Sequence, residues 1–246
     1  MNPTYFKYEL VRLIRNKRFF FFSLAFPLLL FIVIGGTNKN ATVVLGGFKV
    51  NFLVFYCVAM AGYGAMMASM AGGSRIAAER SVSWNRQLRL TPLKPSQYFS
   101  GKVITASLMA AVSIVVLYVA GLALGVHIDS VADWLEMTGL ILLCLAPFVG
   151  LGIFFGHVLT VDTMGPTLGG SVALLAFLGG MFSPLPTTGT LHDIGELLPS
   201  YWLTQATHVG VGGPVWEAKG WIVVAMWTIG TVLLATNAYR RDTARV

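Results

Sequence analysis

Six long apolar segments constrain the fold of this chain more than any other feature. Each is close to the ~20 residues that an α-helix needs to cross a bilayer. Only 11% of the residues are charged, whereas soluble domains hold about 25%. We therefore predict an all-α integral membrane protein with six transmembrane helices, numbered spans 1 to 6: Phe19–Gly35, Asn51–Gly72, Val103–Gly125, Trp134–His157, Thr163–Ser183 and Trp221–Tyr239.

The basic residues predict how these spans are oriented. Of the 17 Lys and Arg residues, 14 lie before span 1, between spans 2 and 3, or after span 6. Because basic loops are retained in the cytoplasm, both termini and the stretch between spans 2 and 3 are predicted to lie there. The net charge of +7 is explained by this topology, so the lipid bilayer is a predicted partner and nucleic acid is not.

Two further segments are predicted to be helical without crossing the bilayer. Residues 1–18 have the amphipathic pattern of an interfacial helix on the inner membrane face. Residues 184–218 contain two short helical stretches that meet at Pro199, and neither is long enough to span. We predict an external re-entrant hairpin in which Pro199, Tyr201 and Trp202 form a lid over a cavity between subunits. Simple anchoring of the aromatic rings at the membrane interface is the alternative.

The sequence lacks the chemistry of an ATPase or of an ion-coupled carrier. A phosphate-binding loop has the form G-x-x-x-x-G-K-[ST], and Gly101-Lys102 lacks both the first glycine and the final hydroxyl residue. The span centres carry no Lys, Arg, Asp or Glu, whereas ion-coupled carriers place such residues there. His157 and His208 have no partner at metal-ligand spacing and are interpreted as polar surface groups. We predict no catalytic residue, metal site or cofactor in this chain.

Flexible Met and aromatic side chains in spans 2 and 5 are candidates for a substrate path. Such residues form adaptable apolar surfaces, although the same pattern is typical of core or lipid-facing positions. The candidates are Phe55, Tyr63, Met66, Met70, Phe177, Met181 and Phe182. Small residues also recur along one face of each span, and they allow close packing either within one subunit or between subunits. They are Ala61, Ala65, Ser69 and Gly73 in span 2 and Gly169, Ala173, Ala176 and Gly180 in span 5.

Motifs after spans 2 and 5 resemble those of a known family. The first set is Glu79-Arg80, Leu88, Thr91-Pro92-Leu93 and Gly101-Lys102, and the second is Gly179 to Pro184 followed by Leu185-Pro186 and Leu198-Pro199. An interfacial helix also precedes span 1, which contains Pro27. In this order, the elements resemble the ABC-2 type permease family, the membrane subunits of bacterial ATP-binding-cassette exporters.

The resemblance implies a single transmembrane domain over residues 1–246, located in the bacterial inner membrane. It implies a second permease subunit, identical or paralogous, and two separate ATPase subunits that hold ATP and Mg²⁺. The substrate expected from the resemblance is a lipophilic or amphiphilic compound, since the Thr-Pro-Leu form of the motif favours the drug- and antibiotic-export branch. Export of a lipid-linked glycan, a carrier or channel without ATP coupling, and a structural membrane protein remain alternatives.

The resemblance also implies that residues 76–93 couple the permease to the ATPase. We predict a short cytoplasmic helix over 76–90 that docks on the ATPase and is stopped by proline. The alternative is a basic interfacial helix that only maintains the topology. The residues expected to carry the coupling are Glu79, Arg80, Trp84, Arg86, Leu88, Thr91 and Pro92.

Overall fold

The computed structural model describes residues 17–45, 47–82, 95–128, 130–186 and 188–244. Within these ranges the chain forms nine α-helices and one antiparallel pair of strands. The chain also forms a π-helical segment over Phe31–Gly35 and a 3-10 turn over Val209–Val211. In chain order the elements are α1 (Lys17–Leu30), β1 (Thr42–Leu45), β2 (Phe48–Asn51), α2 (Phe52–Ser81), α3 (Pro95–Leu124), α4 (Val131–Cys144), α5 (Ala146–Val158), α6 (Val161–Leu178), α7 (Thr190–Glu196), α8 (Pro199–His208) and α9 (Ala218–Ala244).

Among the described residues, five helical units are long and apolar enough to cross a membrane, and they correspond to predicted spans 2 to 6. They are α2, α3, α4 together with α5, α6, and α9. The break between α4 and α5 falls at Leu145, just before Pro147, because proline has no N–H for the helical ladder. Helix α1 and the π-helical segment after it cover predicted span 1, but the apolar stretch whose side chains the structure describes there begins only at Leu24 and, ending at Gly35, is too short by itself to count as a span. The count of six spans therefore stays a prediction.

Helix α2 is the centre of the bundle. It packs against α1, α3, α5, α6 and α8. Its first turn is capped by Asn51, whose side-chain oxygen accepts a 2.8 Å hydrogen bond from the Leu53 N–H. The small side chains Ala61, Ala65 and Ser69 are almost completely buried. The small face of span 2 is thus used for packing inside one subunit.

The bundle has two chemically different ends. Helices α2, α5 and α9 end and α3 begins at one of them, which we call the basic end because Arg75, Arg80, Lys102, Arg240 and Arg241 lie there. The β1–β2 pair, α7 and α8 lie at the opposite end, which we call the far end. The positive-inside rule predicts that the basic end faces the cytoplasm.

Helices α2 and α5 cross so closely that glycine is required at the contact. A Cβ on Gly152 would lie 2.9 Å from Met70 Cα, and one on Gly156 would lie 2.8 Å from Ile76 Cβ and 2.5 Å from the Gly73 carbonyl oxygen. Most of these atoms belong to the backbone, so they cannot rotate out of the way. The close crossing lets the ends of α2 and α5 meet at the basic end.

We expect Gly152→Ala to destabilise the protein by about 1–3 kcal/mol or more, because overpacking against backbone forces the two helices apart. The measurement is the thermal unfolding midpoint of purified protein in detergent. Gly139→Ala in α4 is the matched control, since a Cβ there meets nothing within 4 Å. Equal midpoints for the two variants would contradict the close α2–α5 contact.

Three sequence-based expectations need correction or lie outside the described residues. The separate helix predicted to begin at residue 76 is wrong for 76–81, because these residues continue α2 to Ser81 without a break. The β1–β2 hairpin was not expected, although Gly46-Gly47 between two β-branched stretches is a hairpin signal. The interfacial helix predicted over 1–18 lies outside the described residues, apart from Lys17 and Arg18 at the start of α1.

Candidate functional site

A buried ion pair joins α2 to α3 at the basic end. The Nζ of Lys102 lies 2.7 Å from Oε1 of Glu79, and both side chains are at most 4% exposed. The Tyr98 hydroxyl donates a 3.2 Å hydrogen bond to Oε2 of Glu79, and its ring lies 5.1 Å from the Lys102 ammonium. Each oxygen of the Glu79 carboxylate therefore has a donor, as a charge removed from water requires.

Arg80, the next residue, joins α2 to α5 and α9. Its Nε lies 3.0 Å from the Asp242 carboxylate near the end of α9. Its Nη1 donates 3.2 Å hydrogen bonds to the carbonyl oxygens of Gly156 and Leu159. The last carbonyls of a helix lack intrahelical partners and carry partial negative charge. The guanidinium therefore caps α5 while it holds the end of α9.

His157 and aromatic rings fill the space between these ion pairs. His157 Nδ1 lies 3.3 Å from Asp242 Oδ2, and its ring packs edge-on against Tyr239 at 5.5 Å. Phe99 contacts the same tyrosine at 4.9 Å. The interpretation of His157 as a surface group is wrong, because its side chain is buried among the ends of α3, α5 and α9. These rings and ion pairs hold together the ends of α2, α3, α5 and α9. We call this group of side chains the basic-end cluster: Glu79, Arg80, Tyr98, Phe99, Lys102, His157, Tyr239 and Asp242.

The basic-end cluster contains three of the motif residues, two of which, Glu79 and Arg80, belong to the predicted coupling region 76–93. Glu79, Arg80 and Lys102 provide its charges, and α2 ends at Ser81. Glu79 is buried inside the chain rather than presented on a docking surface. The other predicted coupling residues lie outside the described residues: Trp84, Arg86, Leu88, Thr91 and Pro92.

The predicted path residues do not lie on one surface. Those of span 2 are core residues at 0–4% exposure, namely Phe55, Tyr63, Met66 and Met70. In the second group Met181 is fully buried, Phe182 is half-buried with its ring 5.4 Å from that of Tyr63, and Phe177 is 61% exposed on α6. Phe177 is thus the most exposed of the seven predicted path residues.

The small face predicted for span 5 divides into two parts. Ala176 and Gly180 are buried, whereas Gly169 and Ala173 are exposed. A Cβ added to Gly165, Gly169 or Gly170 meets nothing within 4 Å. The exposed part of α6 is therefore not used for packing among the described residues.

The second motif packs the two short helices of the far end against the end of α6. A Cβ on Gly179 would lie 2.7 Å from the backbone of Ser200, and Gly180 turns the chain with φ of +75°. Pro199 begins α8, where its missing N–H has no cost. These glycines and the proline allow α8 to meet α6 at backbone distance.

The aromatic residues predicted for the lid point into the subunit to different degrees. Trp202 is 2% exposed, and its indole N–H donates a 2.9 Å hydrogen bond to the Glu196 carbonyl oxygen. Tyr201 is half-buried and packs edge-on against His192 at 5.7 Å. Trp202 thus joins α7 to α8 internally, while the role of the pair as a lid stays a prediction.

Charged side chains hold α7 to the start of α9. Oε2 of Glu196 accepts a hydrogen bond from Lys219, and Oε1 lies 3.2 Å from His192 Nε2. The hydrogen bond from Lys219 holds the pKa of the Glu196 carboxyl below its usual value, although burial acts in the opposite direction. The far end is therefore closed by a polar contact between two segments that are distant in sequence.

His208 is the most buried titratable group of the far end, so its interpretation as a surface group is wrong. It is 1% exposed, and its ring stacks on Phe55 at 4.7 Å. Burial lowers the pKa of His208 to about 4, against the opposing effects of the Thr204 and Phe55 carbonyls. The neutral ring is the form that fits between α8 and α2.

We expect the protein to lose stability as the pH falls from about 6.5 to 4, because the unfolded chain protonates its histidine first. The pKa of His208 is lower in the folded protein than in the unfolded chain. Burial of His208 therefore leaves the free energy of unfolding unchanged above pH 6.5 and lowers it by up to about 3 kcal/mol at pH 4. The measurement compares unfolding midpoints at pH 7.5 and pH 4.5 for wild type and His208→Gln. A fall that is equally large in both proteins would assign the effect to other groups.

Sequence reasoning missed the polar partners of Arg80 and Glu79 in the basic-end cluster, Asp242 and Tyr98. Asp242 is the one acidic residue among the arginines after span 6, which was a usable signal. Its partner Arg80 is 162 positions away, so no local pattern pairs them. Tyr98 follows the Thr-Pro-Leu motif without any feature that distinguishes it.

Comparison with known proteins agrees with this reading of the motifs. The model of a family described as ABC-2 family transporter protein matches residues 46–239. YvfS of Bacillus subtilis (strain 168), which is named as a transport permease, is 30% identical over 241 residues, covering 96% of each chain. In this family ATP hydrolysis belongs to separate subunits, and the membrane component is not itself an enzyme. The chain belongs to the ABC-2 family of transport permeases, as a multi-pass membrane protein.

Proposed function

We propose that this chain is the permease subunit of an exporter that moves lipophilic or amphiphilic, drug-like compounds out of the cytoplasm or the inner leaflet. A second permease subunit completes the path, and two separate ATPase subunits bind ATP and Mg²⁺. The observation that carries the proposal is the basic-end cluster, because it joins the motif residues Glu79 and Arg80 at the end of α2 to three other helices.

Coupling in this proposal depends on the segment that follows α2. An ATPase docked on residues 83–93 pulls on α2 directly, since only Val82 separates that segment from the last residue of the helix. Glu79 passes the displacement to α3, and Arg80 passes it to α5 and α9, each through its charged contacts. In this proposal neither side chain contacts the ATPase itself. Within 83–93, Trp84 is the residue that we assign to the groove of the ATPase, since a central aromatic often dominates such an interface.

The docking step is tested by recovery of the ATPase with the tagged permease from membranes of its own host. We expect Trp84→Ala to weaken this recovery by on the order of 2 kcal/mol if the residue is a hot spot. Trp221→Ala is the matched control, because Trp221 is an exposed tryptophan at the far end. Recovery of no ATP-hydrolysing partner with the wild type would overturn the proposed function, and unchanged recovery with Trp84→Ala would overturn the docking role alone.

The exposed face of α6 supports a second permease subunit beside it. Gly165, Gly169 and Ala173 recur at intervals of four residues, and Phe177 follows on the same face. Small residues let two helices in lipid approach closely. We place the substrate path along this contact, since the predicted path residues of α2 are enclosed within one subunit.

The partner contact is tested by measuring the mass of the purified permease in detergent. Gly169→Leu is expected to shift the population from dimer to monomer, whereas Gly139→Leu leaves it unchanged, because Gly139 is equally open but lies on α4. Loss of efflux of lipophilic compounds should accompany the loss of dimer. A monomeric wild type with full efflux would exclude this arrangement.

The proposed direction of transport requires the basic end to face the cytoplasm. Because 14 of 17 basic residues lie in the loops assigned to that side, we expect a cysteine at Ser96 to react with a membrane-impermeant maleimide only in inverted vesicles. A cysteine at Thr188 should react in intact cells. Both native cysteines are buried and give little background. The reverse labelling pattern would invert the topology.

A further inference from the structure

Helix α7 is attached to the far end with very little apolar burial. All of its residues are described, and Gly195 alone is buried. The apolar side chains Leu191 and Ile194, and Leu197 directly after the helix, are 36–63% exposed and face away from the subunit. In folded proteins, local opening begins in segments that have few buried apolar contacts. Polar contacts therefore decide whether α7 stays in place.

Those polar contacts lie at the C-terminal end of α7. The indole N–H of Trp202 donates to the Glu196 carbonyl oxygen, and that of Trp227 donates to the Leu197 carbonyl oxygen at 2.8 Å. The Glu196 side chain also pairs with Lys219 in the first turn of α9. This ion pair is partly exposed, with 47% of the Lys219 side chain accessible. Because water competes for both charges of such a pair, it can break and form again while the fold is retained.

The chain can bend at both ends of α7. Gly189, the residue before the helix, has a φ of +105°, which favours glycine, and a Cβ there would meet nothing within 4 Å. No side chain caps the first turn. At the other end Leu198 is extended, as the residue before a proline prefers to be. Bending at these two connections would move α7 without unwinding α8.

Helix α7 covers the end of α6 and one side of a cavity. A Cβ on Gly195 would lie 3.2 Å from the Leu178 carbonyl oxygen, so α7 rests on the last turn of α6. The cavity has a volume of about 240 Å³, and its walls include His192 and Glu196 from α7 and Gln205 from α8. Movement of α7 would therefore uncover the far end of the α6 surface along which we place the transport path.

We propose that α7 is a lid over the exit of the transport path and that the Glu196–Lys219 ion pair is the latch that holds it closed. The proposal rests on the proposed function, which supplies the path along α6. The structure has the latch formed, and separation of α7 from α9 breaks it and exposes Gln205. Trp202, a predicted lid residue, is 2% exposed and stays with the body of the subunit.

The latch is tested first on the purified full-length permease, without ATPase or substrate. The variant Gln205→Cys reports opening of the lid through its rate of reaction with a soluble maleimide, since both native cysteines are buried. Lys219→Met should raise this rate severalfold, in keeping with the loss of a partly exposed ion pair. Lys49→Met is the matched control, because it removes an exposed far-end lysine from β2.

A charge exchange distinguishes the latch from a general loosening of the far end. Glu196→Lys combined with Lys219→Glu restores the pair with reversed charges, and it should return the Gln205→Cys reaction to its slow rate. Equal rates in Lys219→Met and Lys49→Met, or a charge exchange that reacts as fast as Lys219→Met, would overturn the latch.

The lid is tested in the permease reconstituted with its ATPase. Glu196→Cys and Lys219→Cys, joined by a short bismaleimide, replace the ion pair by a covalent link. The linked protein should lose transport of lipophilic compounds while the ATPase stays bound, and the same double variant without the linker should transport. Full transport by the linked protein would overturn the lid. A wild type that transports no such compound would overturn the proposed function instead, and the maleimide rates would still decide whether the latch holds α7.

Discussion

Replacing Glu79 by alanine is expected to abolish the folded, transport-competent permease. The substitution leaves the Lys102 ammonium buried without the carboxylate that lies 2.7 Å away, and breaking a buried pair in this way costs about 3–5 kcal/mol. That is a large part of the roughly 5–15 kcal/mol that stabilises a typical protein. The measurements are the yield of monodisperse protein and its unfolding midpoint in detergent.

A double variant separates the loss of the pair from the loss of the charge itself. Glu79→Met with Lys102→Met replaces both partners by apolar side chains of similar length, which in other proteins is often neutral or stabilising. We expect the double variant to recover most of the stability that either single variant loses. If the two single effects were simply additive, Glu79 and Lys102 would not act as a pair.

The burial of Glu79 also changes which substitution can test docking on the ATPase. The motif alone favours Glu79→Arg as a way to break an exposed contact with the ATPase while the fold is retained. In the structure the same substitution places a second cation beside Lys102 in a buried site. The fold itself would then be lost, so the docking surface must be tested within residues 83–93.

The second large effect is expected from Arg80→Ala, which should uncouple ATP hydrolysis from transport while the ATPase stays bound. Arg80 holds Asp242 and caps α5, yet its side chain is 28% exposed, so the fold should survive its removal. Transport should fall about tenfold or more, because a hydrogen bond to a charged group contributes about 1.5–3 kcal/mol and Arg80→Ala removes such bonds. The measurement is transport per ATP hydrolysed in reconstituted vesicles.

Two further variants identify what Arg80 contributes. Arg80→Lys keeps the charge but loses the planar fork, so it cannot hold Asp242 and the α5 carbonyls in the same geometry, and an intermediate loss is expected. Arg241→Ala is the control, because it removes an exposed positive charge next to Asp242. The same transport-to-hydrolysis ratio in Arg80→Ala and wild type would show that the cluster does not transmit the motion of the ATPase.

The sequence alone determined the secondary structure of most of the chain and its class. Spans 2 to 6 were located correctly because bilayer thickness sets the length of an apolar run, and that length is a local property. The pair of short helices around Pro199 was also visible, since proline and the short apolar stretches on either side are local signals. The motifs after spans 2 and 5 were sufficient to indicate the family.

Only the tertiary structure decided what the individual motif residues contact. Glu79 meets Lys102 across 23 positions and Arg80 meets Asp242 across 162, and these pairings depend on how each helix is rotated in the bundle. Helical periodicity gives the faces of a single helix but not the neighbour of each face. For the same reason the sequence left open whether Met66 lies in the core, and it did not indicate the burial of His208. Apolar and small residues look alike in sequence whether they face lipid, substrate or protein, and packing alone distinguishes these environments.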